Sequence, residues 1–210
     1  MHPAVGLLIS YVAGSFPSAY LAGRLLKGID LRTVGSGNLG ATNVYRVLGL
    51  LPAVIVLVID GAKGALPVYF LPRLLHADSM GGDAALWWAL GYGIAAIVGH
   101  TRSVFLLLKG GGKGVATAAG VFVVLVPFAL ILSTSLCAVA VWFTGYMSVG
   151  SVVAALTFPI VVGIDRGVAS PVFLVSLAVC GFILWGHRSN VARLRAGTEH
   201  RLFRKVEKQP

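Results

Sequence analysis

"VATAAGVFVVLVPFALILSTSLCAVAVWFTGYMSVGSVVAALTFPIVVG", Val115 to Gly163, runs 49 residues without one Asp, Glu, Lys or Arg. At 1.5 Å per residue a single helix of that length would extend ~74 Å, more than twice the ~30 Å thickness of a membrane's hydrocarbon layer. The stretch must therefore fold back on itself within a membrane. The whole chain agrees: 57% of its 210 residues are hydrophobic, 11% are charged, and the mean hydropathy is +0.89, far from the balance of a soluble domain.

Four further apolar segments are bounded by charges: Pro3 to Leu26, Leu48 to Pro72, Ala84 to Val98 or somewhat beyond, and Gly167 to Gly186. Basic loops stay in the cytoplasm, so charge parity counts the crossings. Lys27, Arg32 and Arg46 mark the first loop as cytoplasmic, Arg73 with Asp78 and Asp83 make the second non-basic, and Arg102, Lys109 and Lys113 make the third basic. From Arg188 onward the tail carries seven Lys or Arg against two Glu, which puts it inside and Asp165 and Arg166 outside. An odd number of crossings must separate Lys113 from Asp165. One is too few for 49 residues, so three short spans are expected, turning near Pro127 to Ser135 and Gly145 to Gly150. The expectation is an all-α integral membrane protein forming one domain over residues 1–210, with seven transmembrane helices (five as the fallback), N-terminus out and C-terminus in. The stretch "MHPAVGLLISYVAGSFPSAYLAG" lacks a basic n-region and reads as a retained first span. Cys137 and Cys180 lie in apolar runs and form no CxxC, so no metal site is expected.

This topology places two glycine-rich segments on the cytoplasmic face. "VGSGNLGATNVYR", Val34 to Arg46, contains a literal GxGxxG at Gly35, Gly37 and Gly40, with Asp60 20 residues later. A dinucleotide turn needs a soluble βαβ unit and an acid free to reach a ribose, whereas Asp60 lies inside an apolar span. "KGGGKGVAT", Lys109 to Thr117, has Gly114 where a Walker A loop needs Ser or Thr for magnesium. What remains is a flexible backbone, at Gly111, Gly112 and Gly114, able to donate N–H groups to an anion beside Lys109 and Lys113. A loop that only sets topology needs basic residues but not Ser36, Asn38, Thr42 and Asn43, with Arg46 following as a bidentate phosphate partner.

Asp60 and Lys63, three apart on one helical face, can pair within the span, and the spacing suits a structural ion pair at least as well as catalysis. His100 and Arg102 end the third span; His187, Arg188 and Asn190 end the last one in the same layer. An interfacial His often does no more than bond a carbonyl. An enzyme of phosphorylated substrates competes with a transporter or channel for an anionic phosphorylated metabolite, which also explains Gly-broken helices. The transporter is weakened by the lack of an inverted repeat and by polar groups crowded on one face. A lipid phosphatase would want a nucleophile arranged with His and Arg.

"GSFP" (Gly14 to Pro17), "GSGNLGATN" followed by Arg46, "DGAKG" (Asp60 to Gly64), "GH" (Gly99, His100) before "GGKGVAT" (Gly111 to Thr117), and "HRSNVARL" before "GTEHR" occur in that order along nearly the whole chain. Together they closely resemble the bacterial acyl-phosphate-dependent glycerol-3-phosphate acyltransferases. The resemblance implies a multi-pass enzyme of the bacterial cytoplasmic (inner) membrane with its site facing the cytoplasm. It moves a fatty acyl group from acyl phosphate to glycerol 3-phosphate, giving lysophosphatidic acid and phosphate. No cofactor and no nucleic-acid partner are expected; membrane lipid surrounds the chain. Ser36, Arg46, Lys113, His187 and Asn190 are the expected catalytic residues. Gly35, Gly37, Asn38, Gly40, Thr42, Asn43, His100, Lys109, Gly111, Gly112, Gly114, Thr117 and Glu199 are the expected binding residues. Two departures stand out. The chain reads "LKGGGKGVAT", one glycine longer than the usual "FKGGKGVAT", which displaces Lys109, and Ser103 stands where the "GHxxP" proline is usual. Acyl phosphate already carries a good leaving group, so no Ser-His-Asp nucleophile is required, and no HxxxxD motif occurs.

Overall fold

The structure, a computed structural model, describes residues 2–81 and 83–202. Arg204, Lys205, Glu207 and Lys208 of the basic tail lie outside the described residues. Among the described residues every regular element is helical. Helix α1 (Val5–Ser15) breaks at Phe16–Pro17, where the proline has no N–H to continue the ladder, and α2 (Ser18–Lys27) ends at Gly28 in the left-handed conformation. The first loop leads to α3 (Ala41–Leu48) and then to α4 (Leu50–Leu74). A 3-10 turn at Ala77–Met80 precedes α5 (Ala84–Thr101).

The uncharged run divides into α6 (Val115–Leu125), α7 (Pro127–Thr144) and α8 (Met147–Arg166). Its breaks fall at Val126–Pro127, with proline at the permitted first helical position, and at Gly145–Tyr146, where Gly145 is left-handed. Helix α9 (Pro171–Gly186) then meets α10 (Arg188–Arg195) at a 48° bend. Five stretches are long and apolar enough to cross a membrane: Val5–Lys27, Leu50–Leu74, Ala84–Leu106, Pro127–Thr144 and Met147–Arg166. The α9–α10 pair makes a sixth only if the two bent helices count as one span. The seven-span expectation needs α6 as one of its three short crossings, and its 11 residues rise about 16 Å.

Small residues let these helices touch. A Cβ on Gly14 of α1 would strike Ala96 O of α5, and one on Gly99 of α5 would strike Tyr11 O of α1. Likewise Gly64 of α4 abuts Thr117 O of α6, and Gly120 abuts Gly61 O. Close backbone approach replaces the hydrophobic drive that lipid cannot supply. Outward-facing Trp142, Phe143 and Ile164 form part of the lipid-facing belt.

The "DGAKG" glycines thus serve helix packing, while Asp60 and Lys63 turn inward. Lys63 Nζ and Ser18 Oγ each donate to Asp60 Oδ1 at 2.5 Å, and all three side chains are buried. This is the ion pair expected from the spacing, with a hydroxyl from α2 added. Ser103, at the usual proline's place, donates to Ser15 O at 2.5 Å and ties the end of α5 to the break between α1 and α2.

Candidate active site

The first loop is folded around Asn43. That side chain is 1% exposed; its Oδ1 accepts from Ser36 N at 2.8 Å, and its Nδ2 donates to Leu31 O and Val34 O, each at 3.1 Å. Gly35 and Gly37 have positive φ, 62° and 70°, which side-chain-bearing residues rarely adopt. Gly40 is extended and caps α3. Ser36, Asn38 and Thr42 are half-buried around this turn, and their side chains make no hydrogen bond among the described residues. Arg46 follows on α3. It donates to His200 O at 3.1 Å, and its buried Nε has no partner among the described residues. A guanidinium N–H of this kind is able to donate to an anion.

The second glycine loop brings Lys113 beneath α10. Gly114 is left-handed at φ 81° and caps α6, and Lys113 Nζ donates to Asn190 Oδ1. Burial presses Lys113 from the usual 10.5 to about 8; Glu199 opposes that drop, while Arg193 and Arg46 add to it. Asn190 Nδ2 donates to Glu199 Oε1 at 2.6 Å, Ser148 Oγ donates to the same oxygen at 2.8 Å, and Arg193 Nε donates to Glu199 Oε2 at 2.7 Å. Burial alone would raise the Glu199 pKa, but these three bonds and the Arg193 charge hold it below its usual value.

His187, at the turn after α9, is 3% exposed, and its Nδ1 lies 2.8 Å from Ile183 O. A carbonyl only accepts, so Nδ1 carries the proton and Nε2 of the neutral ring is left as an acceptor. Burial first, and then the Lys113 charge, depress this imidazole to about 4, against the Ile183 bond and Glu199.

Arg46, Lys113 and Arg193 thus surround one carboxylate, Glu199, an excess of two positive charges in a half-buried site. Of the expected residues, the fold brings Arg46, Lys113, His187, Asn190 and Glu199 together. Others are placed differently. Asn43 braces the loop with no group left for a phosphate. Glu199 spends both oxygens on protein donors and repels phosphate by charge, so it organises Asn190 and Arg193. Thr117 is fully buried on α6 with Oγ1 unpartnered, and His100 lies under Gly112, which covers its Nε2. Lys109 is exposed, and its carbonyl accepts from Arg32 at 3.4 Å. Arg193 and Ser148 were missing from the expected set. Arg193 was legible: it continues the three-residue spacing of His187 and Asn190 on one helical face. Ser148, on α8, has no such signal.

The chain that carries these two glycine loops and the basic helix has known relatives. The family model described as "Glycerol-3-phosphate acyltransferase" matches residues 4–197. The chain belongs to the glycerol-3-phosphate acyltransferase family. Relatives bearing that family name include a protein of Trichlorobacter lovleyi, 42% identical over 90% of this chain and 92% of its own. Another, from Parasynechococcus marenigrum, is 44% identical over 95% of this chain and 90% of its own. Among solved structures, the chain is similar to PlsY (YgiH), an integral membrane glycerol 3-phosphate acyltransferase, in its glycerol 3-phosphate form. That match has a TM-score of 0.81 and 33% identity over 95% of this chain and 94% of that one. The lysophosphatidic acid form of PlsY matches with a TM-score of 0.79 and 32% identity. Family membership makes the chain a membrane acyltransferase of phospholipid synthesis, which sets aside the transporter and phosphatase alternatives.

Proposed function

We propose that the chain, as one membrane domain over residues 1–210, transfers a fatty acyl group from acyl phosphate to the first hydroxyl of sn-glycerol 3-phosphate. The carrying observation is that Arg46 and Lys113 lie close enough to the Arg193–Glu199 ion pair to interact with its charges, with Arg46 Nε buried and unpartnered among the described residues. Both substrates bring phosphates, and such a site neutralises them and the departing phosphate at once. Glycerol 3-phosphate and lysophosphatidic acid, after which the two PlsY forms are named, are the acceptor and the product of this reaction.

The attacking hydroxyl oxygen forms a bond to the acyl carbonyl carbon, and collapse of the tetrahedral species breaks the bond to phosphate, which leaves with its electron pair. Lys113 and Arg46 stabilise the developing charges, and His187 and Asn190, on a rigid helix end, align the acceptor. The low basicity of His187 favours a substrate phosphate, pKa ~6, as the group that takes the hydroxyl proton. Ser36, Asn38, Thr42 and the amides of the glycine loops complete the phosphate cradle. No cofactor enters.

Seven crossings, N-terminus out and C-terminus in, accommodate α6 as a short one. Its first residue follows directly on the glycine loop that carries the half-buried Lys113. The site then faces the cytoplasm of a bacterial inner membrane, where both water-soluble acceptor and lipid product are handled. Purified protein given labelled glycerol 3-phosphate with acyl phosphate, and in parallel with an acyl thioester, tests the reaction: lysophosphatidic acid formed only from acyl phosphate supports it, and product from the thioester alone overturns it.

A further inference from the structure

We propose that His100 is a positioning residue whose imidazole forms the seat of the glycine loop, setting where Gly112, and with it Lys113, stands. This rests on the reading of Lys113 as a phosphate-handling group.

The ring is 8% exposed at the end of α5. On one side its Nδ1 lies 3.7 Å from Asp60 Oδ1, an electrostatic contact longer than a hydrogen bond. That carboxylate is itself fixed by Lys63 and by Ser18. On the other side the ring meets Gly112: the three atoms nearest to a Cβ built there are His100 Nε2, Cε1 and Cδ2, and no other group comes as close. A Cβ on Gly111 would lie 2.5 Å from both His100 O and Thr101 O. The loop is therefore pressed onto a platform made of one imidazole and two carbonyls.

A purely structural ion pair does not require this imidazole. Asp60 and Lys63 already satisfy each other, and burying a further titratable ring in the apolar layer is costly. The position does account for it. Lys113 follows Gly112 directly and must meet Asn190 on a helix 77 residues away in sequence, and errors of about 1 Å in such groups cost about 100-fold in rate. A buried ring, flanked by Asp60 on one side, gives the Gly110–Gly114 segment one resting height.

The geometry makes a steric test possible. Gly112 does not lie in the left-handed region, so alanine is conformationally permitted there and only the His100 ring stands in its way. Gly112→Ala, His100→Ala and the double variant are purified in detergent and compared with the wild type for acyl transfer from acyl phosphate. Folded protein is verified by monodisperse gel filtration and thermal unfolding. Gly112→Ala is expected to lose activity 100-fold or more, and His100→Ala tenfold or more. The double variant is expected to recover at least tenfold over Gly112→Ala, because removing the ring opens the space the methyl needs. A second readout follows Lys113 itself: the alkaline limb of kcat/KM should move in His100→Ala while the unfolding temperature stays at the wild-type value, which separates displacement of Lys113 from general loosening of the fold. A double variant no more active than Gly112→Ala, or an alkaline limb unchanged in His100→Ala, overturns the proposal. If His100→Ala does not fold, His100→Asn, which stays polar but stops short of the ring's far end, paired with Gly112→Ala replaces it, with the same recovery required. Failure of the reaction assignment is separable, since it would appear as a wild type inactive with acyl phosphate.

Discussion

Lys113 donates its ammonium hydrogen bond to Asn190 Oδ1, joining the second glycine loop to α10 across 77 residues of sequence. Asn190 passes the contact on to Glu199, which also holds Arg193 and Ser148. The cations of the site are thus spaced by one carboxylate.

The pH dependence follows from Lys113. Its ammonium is needed charged, and its pKa is lowered to about 8, so on its account kcat/KM should be highest near pH 7 and fall as pH rises through about 8. Bound phosphate favours the charged form, which places the limb of kcat higher than that of kcat/KM. Lys113→Arg, charged throughout, should abolish this limb whatever its remaining activity. A pH–rate profile between 6 and 10 checks both statements, and a wild-type profile flat to pH 10 contradicts them.

Glu199 props up the Lys113 charge, so removing it has a signed effect. In Glu199→Gln the alkaline limb should move below about 8, since the one opposing charge that raises Lys113 is lost while Arg193 and Arg46 remain. Activity at pH 7 should drop at least tenfold, about 1.4 kcal/mol in transition-state free energy. An unmoved limb would detach Glu199 from Lys113.

Arg46→Lys keeps a charge but not the planar fork. With one nitrogen on His200 O and a buried Nε awaiting a partner, the arginine is suited to a forked contact that an ammonium cannot copy. At least a tenfold loss of kcat/KM is expected in steady-state assays on folded protein; near wild-type activity would mean that charge alone matters there.

Ser36 carries a hydroxyl unused by the protein at the mouth of a loop whose backbone is fixed by Asn43. Ser36→Ala should lower kcat/KM tenfold or more without changing the unfolding temperature, because the loop's brace is the Ser36 N–H and not its side chain. Asn43→Ala should instead lose stability and activity together.

His187 bears on the acidic limb. A base must be unprotonated to act, and with its pKa lowered to about 4 an acidic limb due to His187 would lie near there. A substrate phosphate gives a limb near ~6. The wild type should show the latter, and His187→Gln should lower the whole profile while leaving that limb in place. Its disappearance would make His187 the general base.

The sequence by itself determined the membrane class, the folding back of the Val115–Gly163 run, the break points at Pro127 and Gly145, and the two glycine loops. Each is a local property: apolar content fixes the solvent, while proline and glycine fix backbone dihedrals without help from distant residues. The chemistry-bearing types at Arg46, Lys113, His187 and Asn190 were visible for the same reason. Only the tertiary structure decided which of them meet. It turned Asn43 inward as a brace, made Glu199 a bracket for Asn190 and Arg193, slid His100 under Gly112, and left α6 at half length. Those outcomes depend on contacts such as Arg46 with His200, 154 residues apart, which arise only when helices pack at distances set by their glycines. No periodicity within one segment records them.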